Sequence, residues 1–452
     1  MDQDKAIYQR SRDALRWLAR VYVLYGPSAK QEDLLGRLTE YNRHLGYPLP
    51  QWELRQIVRG TVRKTCQPSM IFPEHVISGI AERFAKLYSD HLEPPLQFFC
   101  FAFLACLGSV LAGRLTLTSE IKPEPRLYIL LVGESADDRK STAAQKTTEF
   151  FAEAFSSAFS VCNGVGSAEG LQQKIKRAPG QRLLLFYDEM KAFVSKCQPE
   201  SSVLLPCVNT LFESTRYETQ TKNHSIELKD AHLSLLGCST ISTYQNMWSP
   251  QFIDIGFINR LFLVQGTGMR RYAIPQEIPK CKKDSVRIQL LSATRSIGQC
   301  RKFPITEGAK GMYENWYNSR GRSEHTKRLD TYALRLMPLL ALNDSKKEVD
   351  CDTVRKALDI ADWELAVRMA HDPIDADNKI AAMEEKIRRQ LRERNLSDRD
   401  LKRATNANRA GLWVFNKAVE NLESAGEITR QSHGRSKSWM LSSDSSSAID
   451  DR

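Results

Sequence analysis

Two short stretches carry residue types that could do chemistry together. In LYILLVGESADDRKST (127–142) an apolar run ends at Gly133, and a polar loop leads to Lys140, Ser141 and Thr142. A glycine-containing loop that opens a helix suits a phosphate chain, because main-chain N–H groups, an ammonium and a metal-binding hydroxyl converge there. The strict form of such a loop runs Gly, four residues, Gly, Lys, then Ser or Thr. Here Gly133 stands seven positions before Lys140, and Arg139 takes the place of the second glycine. Asp137 and Asp138 lie inside the loop, where they repel a triphosphate unless they point outward. In LLLFYDEM (183–190) a second apolar run ends in Asp188-Glu189. A carboxylate pair at the carboxyl end of a buried strand can hold Mg²⁺ and polarise an attacking water. Each stretch alone also reads as an ordinary surface turn or strand end. The two in this order, roughly fifty residues apart, point to one nucleotide site.

Other spacings carry less. Gly164, Gly166 and Gly170 in NGVGSAEG are wrongly spaced for a dinucleotide loop, and no apolar strand leads into them. The ten cysteines are scattered without a C-x-x-C pair, which indicates single thiols in a reducing cytoplasm and neither zinc site nor disulfide framework. MDQDKAIYQR has charges and no apolar core, unlike a secretory signal. The apolar segment PPLQFFCFAFLACLGSVLAG (94–113) is barely long enough for a bilayer and is followed at once by the alternating RLTLTSE. It reads as a buried core helix, with a membrane span as the alternative.

The elements that position the two stretches follow from periodicity. The apolar runs LYILLV (127–132), LLLFY (183–187), HLSLLGCST (232–240) and RLFLVQG (260–266) alternate with helical stretches, the pattern of an α/β core with a covered parallel sheet. This core is expected over 75–300. Before it, 1–66 reads as a small helical domain, with CQPSMIFPE (66–74) as linker. After it, 301–372 reads as a helical lid, with Leu329, Ala333, Leu336, Met337 and Leu340 at helix spacing. Residues 378–441 give helices over NKIAAMEEKIRRQLRER, SDRDLKRAT with Ser397 as N-cap, and NRAGLWVFNKAVENLESAG with Leu412, Phe415, Val419 and Leu422 inward and Gly426 closing it. Two strands around a His-Gly turn follow, and the order looks like a winged helix. The polar residues 442–452 form a disordered tail.

With a net charge of +11 and a pI near 9.1, the 452-residue chain favours polyanionic partners, nucleic acid first. In a winged helix the third helix enters the major groove and the wing follows the backbone. Asn406, Asn408, Arg409 and Lys417 are the groove candidates, and Arg430, Arg435 and Lys437 the wing candidates. A winged helix used for protein contacts is the competing reading.

GESADDRKST resembles the variant loop Gly-[Asp/Glu]-[Ser/Thr]-x-x-x-Arg-Lys-x-Thr of RecA/AAA+-type P-loop ATPases encoded by phages, plasmids and integrated elements, the replication helicase-like or primase-helicase proteins. GSAEGL (166–171), DEM (188–190), AHLSLLGCST (231–240) and GFINRLFLV (256–264) resemble further blocks of that family in the same order. YNRHLGYPLPQWELRQIVR (41–59) is similar to the small helical domain that follows primase catalytic domains. The resemblance implies a cytoplasmic P-loop NTPase, an ATP hydrolase working on DNA as a homo-oligomeric ring with Mg²⁺, partnered by a separate primase or replication protein. It implies that Gly133, Glu134, Ser135, Arg139, Lys140, Ser141 and Thr142 surround the phosphates, with Ser141 or Thr142 and Asp188 on Mg²⁺. Glu189 would activate water, and Ser239 or Thr240 would sense the γ-phosphate. Arg260 and Arg335 are the candidates to stabilise the transferring phosphoryl group, one within the subunit and one across an interface. A solvated helix face is the other reading of Arg335. The alternative function is an ATP-switched DNA-binding assembly factor without helicase activity. A metabolic kinase would have no use for a winged helix.

Overall fold

The four apolar runs expected as strands all enter one parallel sheet. A computed structural model describes residues 31–45, 48–51, 70–199, 201–220, 225–248, 254–298, 300–321, 323–372, 379–433 and 436–442, with positions 11, 14, 15, 18, 53, 54, 57 and 252 between them. Most of the expected N-terminal unit and of the polar tail lies outside the described residues. What is described of the N-terminal unit includes helix α1 (Gln31–Asn42) and a small cluster of Leu15, Leu38, Leu49, Leu54 and Ile57. Asn42 braces its turn, bonding through its side-chain amide to both N and O of Leu49 at 2.8 Å.

Helices α2 (Gly79–Leu92) and α3 (Leu96–Leu111) lead into strand β1 (Leu115–Leu117) and then β2 (Tyr128–Gly133). Then come α4 (Lys140–Phe155), β3 (Val161–Asn163), α5 (Ala168–Arg177), β4 (Arg182–Tyr187), α6 (Met190–Cys197) and α7 (Leu204–Glu213). A hairpin of β5 (Tyr217–Gln220) and β6 (Ser225–Leu228) precedes β7 (His232–Thr240), α8 (Ile241–Asn246) and β8 (Phe262–Gln265). The main sheet has five strands in the order β3-β4-β7-β2-β8, and the pairings between them are all parallel. The strands carry unbroken apolar runs because both faces are covered: all six residues of β2 are buried. The chain leaves β2 towards β3 and leaves β7 in the opposite direction, towards β8. Right-handed connections therefore set α4 on one face and α5 to α8 on the other.

Helix α3 lies across the sheet as a core helix, with every residue from Phe98 to Leu111 buried. Gly108 lets it approach the chain before β2, since a Cβ there would collide with the carbonyl oxygen of Pro125. Among the described residues no helix is long and apolar enough to cross a membrane.

Helix α9 (Lys280–Arg295), strand β9 (Arg301–Phe303), and helices α10 (Glu307–Ser319), α11 (Leu329–Asn343) and α12 (Cys351–Ala370) complete the core. One hydrophobic cluster runs from Val76 to Val367, and β9 pairs in parallel with β1, so the expected division at 300/301 separates no two cores. Helix α12 also closes the open edge of the sheet. Leu263 N donates to Glu364 Oε1 at 2.8 Å, and Arg368 Nη2 donates to Leu261 O at 2.8 Å, which occupies ladder groups that an edge strand would expose. His371 caps α12 with its Nε2 2.8 Å from Gln265 Oε1, and burial pushes its pKa down to about 4. The fold therefore accommodates the neutral ring. Its contribution is complete above pH 6.5 and is lost as pH falls from there through 4, where it amounts to roughly 3 kcal/mol. Denaturant unfolding at a series of pH values should show this loss, and His371→Gln should flatten the dependence in that window.

A second cluster organises the C-terminal part, from Met383 to Trp439. It joins α13 (Lys379–Glu393), β10 (Leu396–Ser397), α14 (Asp398–Ala404), α15 (Ala407–Ala410) and α16 (Leu412–Ser424) to β11 (Ile428–His433) and β12 (Ser436–Leu441). The three strands form an antiparallel sheet in the order β10-β12-β11. Ser397 caps α14 as expected, its Oγ accepting from Asp400 N at 3.1 Å. Gly426 follows α16 at φ 70°, as a closing glycine should. Leu412 corrects one expectation. It is 49% exposed because α16 starts only after Gly411 (φ 101°), which leaves Leu412 at the solvent end while Phe415, Val419 and Leu422 point inward.

Candidate functional site: the carboxyl edge of the parallel sheet

The register sets the 133–139 loop beside the end of β7, where Gly133 pairs with Thr240. Chain connections leave β2 and β7 in opposite directions, and the crevice above such a pair is where open α/β sheets receive ligands. The loop turns on two left-handed residues, Ala136 (φ 62°) and Arg139 (φ 52°). Neither is glycine, so each costs about 1–2 kcal/mol of backbone strain that neighbouring contacts must offset. Some of those contacts come from the two aspartates. Asp137 points outward, 56% exposed, and pairs with Arg270. Asp138 is buried and braces the loop internally: Oδ2 accepts from Glu134 N, and Oδ1 accepts from Gly268 N at 2.8 Å. Gly133 and Gly268 make room for it, since a Cβ on Gly133 would come 2.5 Å from Asp138 Oδ2 and one on Gly268 2.6 Å from Asp137 O.

Lys140 opens α4 and is buried, its Nζ donating to Glu134 O at 2.6 Å and Gly133 O at 3.2 Å. The ammonium is thus held over the loop by carbonyls that carry no net charge, and an anion entering the loop meets it directly. The first turn of α4 holds no acidic residue, and Ser141 and Thr142 in it are half-buried, so the helix start favours an anion. Glu134 and Ser135 lie exposed on the loop.

Asp188 and Glu189 follow β4, whose Tyr187 pairs with Gly237 of β7, and both are exposed. Glu189 takes the N-cap position of α6 without engaging its side chain in the cap. Burial pushes the thiol of Cys238 up, and Asp188, Lys140 and Glu189 are the charges close enough to act on it. The register puts the residues that follow β2 and β4 at the same edge of the sheet, on either side of the end of β7. A carboxylate and helix-start hydroxyls are the ligand types that suit Mg²⁺, which takes few protein ligands and completes its shell with phosphate oxygens and water. The hydroxyls at the end of β7 are engaged locally. Thr240 Oγ1 accepts from Thr243 N at 3.0 Å as the cap of α8, and buried Ser239 donates to Thr240 O at 3.2 Å.

The two arginines stand at the other edge of the sheet. Arg260 precedes β8, whose Phe262 pairs with Ile129 near the start of β2. It is half-buried, donating from Nη1 to Gly256 O at 2.9 Å and Ile255 O at 3.1 Å. Arg335 corrects both readings made of it, phosphate contact and solvated face. It is 4% exposed, stacks 4.0 Å from the Phe212 ring centroid, and donates to Arg126 O at 2.7 Å and Phe212 O at 2.6 Å. Burial pushes its pKa down to about 10, and its donors tie α11 to the end of α7. Arg335→Ala would leave two buried carbonyls unpaired and a void, so unfolding free energy should fall by roughly 3–5 kcal/mol in urea titrations.

In the C-terminal part Asn406, Asn408 and Lys417 are exposed, with Lys417 paired to Glu420 at 3.0 Å. Arg430 is exposed and stacks 5.0 Å from the Trp439 ring centroid. Arg435 lies outside the described residues, as do the side chains of Arg409 and Lys437. Glu420 and Glu423 share the outer face of α16 with Trp413, which is 66% exposed. Trp413 was not singled out by sequence reasoning, although its phase on the helix, opposite to Phe415 and Val419, could have marked it.

The chain matches no known protein-family model, and no curated protein is similar to it.

Proposed function

We propose that the chain is an ATP hydrolase of the P-loop class, with a RecA/AAA+-like core, a helical lid and a C-terminal winged helix, that acts on DNA as a homo-oligomer. The observation that supports this reading is the register of the parallel sheet, which brings the ends of β2 and β4, followed by Lys140 and by Asp188-Glu189, to one carboxyl edge beside the β2–β7 crevice. In this reading loop amides and Lys140 bind the β- and γ-phosphates, and Asp188 with Ser141 or Thr142 holds Mg²⁺. The metal supplies charge neutralisation on the phosphate oxygens. Glu189 orients a water and takes its proton as the water oxygen bonds to the γ-phosphorus. The bond to the β–γ bridging oxygen breaks, and ADP and phosphate leave.

Arg260 cannot serve the nucleotide of its own subunit, because the length of a strand separates it from the loop. Its position supports a role in a neighbouring subunit's site, which is why the proposal is an oligomer. The positive balance of the chain and the exposed Lys417 and Arg430 support DNA as the polyanion, with Asn408, Arg409, Arg435 and Lys437 as further contacts. A separate primase or replication protein is the proposed partner.

One observation favours a second reading, an ATP-switched assembly factor without turnover. The loop is already braced by Asp138, and Lys140 is bonded to loop carbonyls, a geometry that could bind nucleotide and still be slow in chemistry. The two are separated by phosphate release from the purified full chain with ATP and Mg²⁺, with and without single- and double-stranded DNA. Turnover that rises with DNA supports the motor. Binding of ATP with no turnover under any condition supports the switch and sinks the motor.

A further inference from the structure

The residue before the lysine is where the strict phosphate loop has its glycine, and here Arg139 adopts φ 52°, ψ 33° without being one. What holds it there lies far away in sequence. Glu93, the residue that closes α2, is itself left-handed (φ 70°), and its side chain is 5% exposed. One carboxylate oxygen, Oε1, accepts from Arg271 N at 2.7 Å and Tyr272 N at 2.8 Å; the other, Oε2, lies 3.5 Å from Arg139 Nε. The Glu93 main-chain oxygen also accepts from Met269 N at 3.4 Å. One buried carboxylate therefore joins three segments: the end of α2, the chain leaving β8, and the loop at its strained position. The main-chain N–H groups of Tyr272 and Arg271, with Arg139 beside them, hold the Glu93 carboxyl below the usual carboxylate range, so it is charged near neutrality.

We propose that Glu93 is a positioning residue for the nucleotide: its ion pair with Arg139 keeps the loop in the left-handed turn that a glycine would adopt unaided. The inference rests on the nucleotide reading of the loop. It explains how the loop dispenses with its second glycine, and it makes the arginine a handle and not a phosphate ligand.

The test compares Mg·ATP affinity across five full-length proteins: wild type, Glu93→Gln, Arg139→Ala, Arg139→Gly and the double variant Glu93→Gln/Arg139→Gly. Gln at 93 keeps an oxygen for the two main-chain N–H groups and loses the charged acceptor that faces Arg139. Arg139→Ala removes the handle and keeps the strain, and Arg139→Gly removes both. Glu93→Gln and Arg139→Ala should weaken binding about tenfold, while Arg139→Gly stays within about twofold of wild type and makes Glu93→Gln silent. Equal losses from Glu93→Gln in the wild-type and Arg139→Gly backgrounds would mean a general structural role and overturn the proposal. So would Arg139→Gly binding as weakly as Arg139→Ala, which would make the guanidinium a ligand. If folded wild type and Arg139→Gly both bind no ATP, the nucleotide reading itself has failed. Amide exchange over 134–140 then still decides the clamp, with faster exchange in Glu93→Gln and Arg139→Ala and normal exchange in Arg139→Gly expected without any nucleotide.

Discussion

Lys140→Ala should lose nucleotide affinity, and Glu189→Gln should keep affinity while losing turnover. Lys140 opens the helix after β2 and Glu189 takes the N-cap position of the helix after β4, and the proposed mechanism gives them different tasks. Lys140 contributes a buried ammonium whose partners among the described residues are two carbonyls, so a phosphate gains a charge-assisted bond that the carbonyls do not compete for strongly. Removing it should weaken Mg·ATP binding by about a hundredfold, on the order of 3 kcal/mol for a charged hydrogen bond in a partly desolvated site. Glu189 leaves its side chain out of the cap of α6, so the amide variant should leave the fold unchanged. Loss of a general base costs about 10²–10⁴ in rate. Calorimetric titration of ATP into both variants, beside single-turnover phosphate release, checks the split. A Glu189→Gln protein as active as wild type would remove the proposed base from the reaction.

Arg260→Ala should cut turnover by roughly 10³-fold with nucleotide affinity little changed, because a charge supplied to the transferring phosphoryl group acts mainly in the transition state. The geometry adds a sharper expectation. Arg260 lies at the amino edge and Lys140 at the carboxyl edge of the same sheet, so in the proposed oligomer a complete site would draw on two copies of the chain. Mixing Arg260→Ala with Lys140→Ala, each inactive alone, should restore a fraction of the activity, because some interfaces then join an intact loop to an intact arginine. Mixing should do nothing if the arginine serves only to pack its own strand. A loss of fold is the confounding effect here, since Arg260 satisfies two carbonyls and Tyr332 bonds to its main-chain oxygen at 2.6 Å. Thermal denaturation of Arg260→Ala and Arg260→Lys separates it from the catalytic effect.

The parts of this molecule that were legible in the sequence are those whose chemistry is local. Strands β2, β4, β7 and β8 announce themselves as apolar runs because a strand covered on both faces admits little else. The Asp188-Glu189 pair stands out because it breaks such a run. Strand β3 does not stand out: it has three residues, one of them buried, and pairs on one side only. Arg335 misled for an instructive reason. Helix α11 is apolar almost all round, so an arginine in it has no solvent to face and must find buried acceptors, which a reading confined to one helical stripe overlooks. Asp138 and Glu93 were illegible because their partners are main-chain N–H groups of Gly268, Arg271 and Tyr272, more than a hundred residues away, and a main-chain donor leaves no mark in a sequence. The expected repulsion of phosphate by Asp137 and Asp138 is answered by where each carboxylate goes, one outward to Arg270 and one into the brace.

The most direct test of the central claim is hydrogen exchange of the full chain with and without Mg·ATP, read peptide by peptide. The site predicts protection centred on 133–142 and extending to the segments around 188–189 and 237–240, with the same pattern weakened in Lys140→Ala. Binding that protects other segments and leaves 133–142 unchanged would contradict the account.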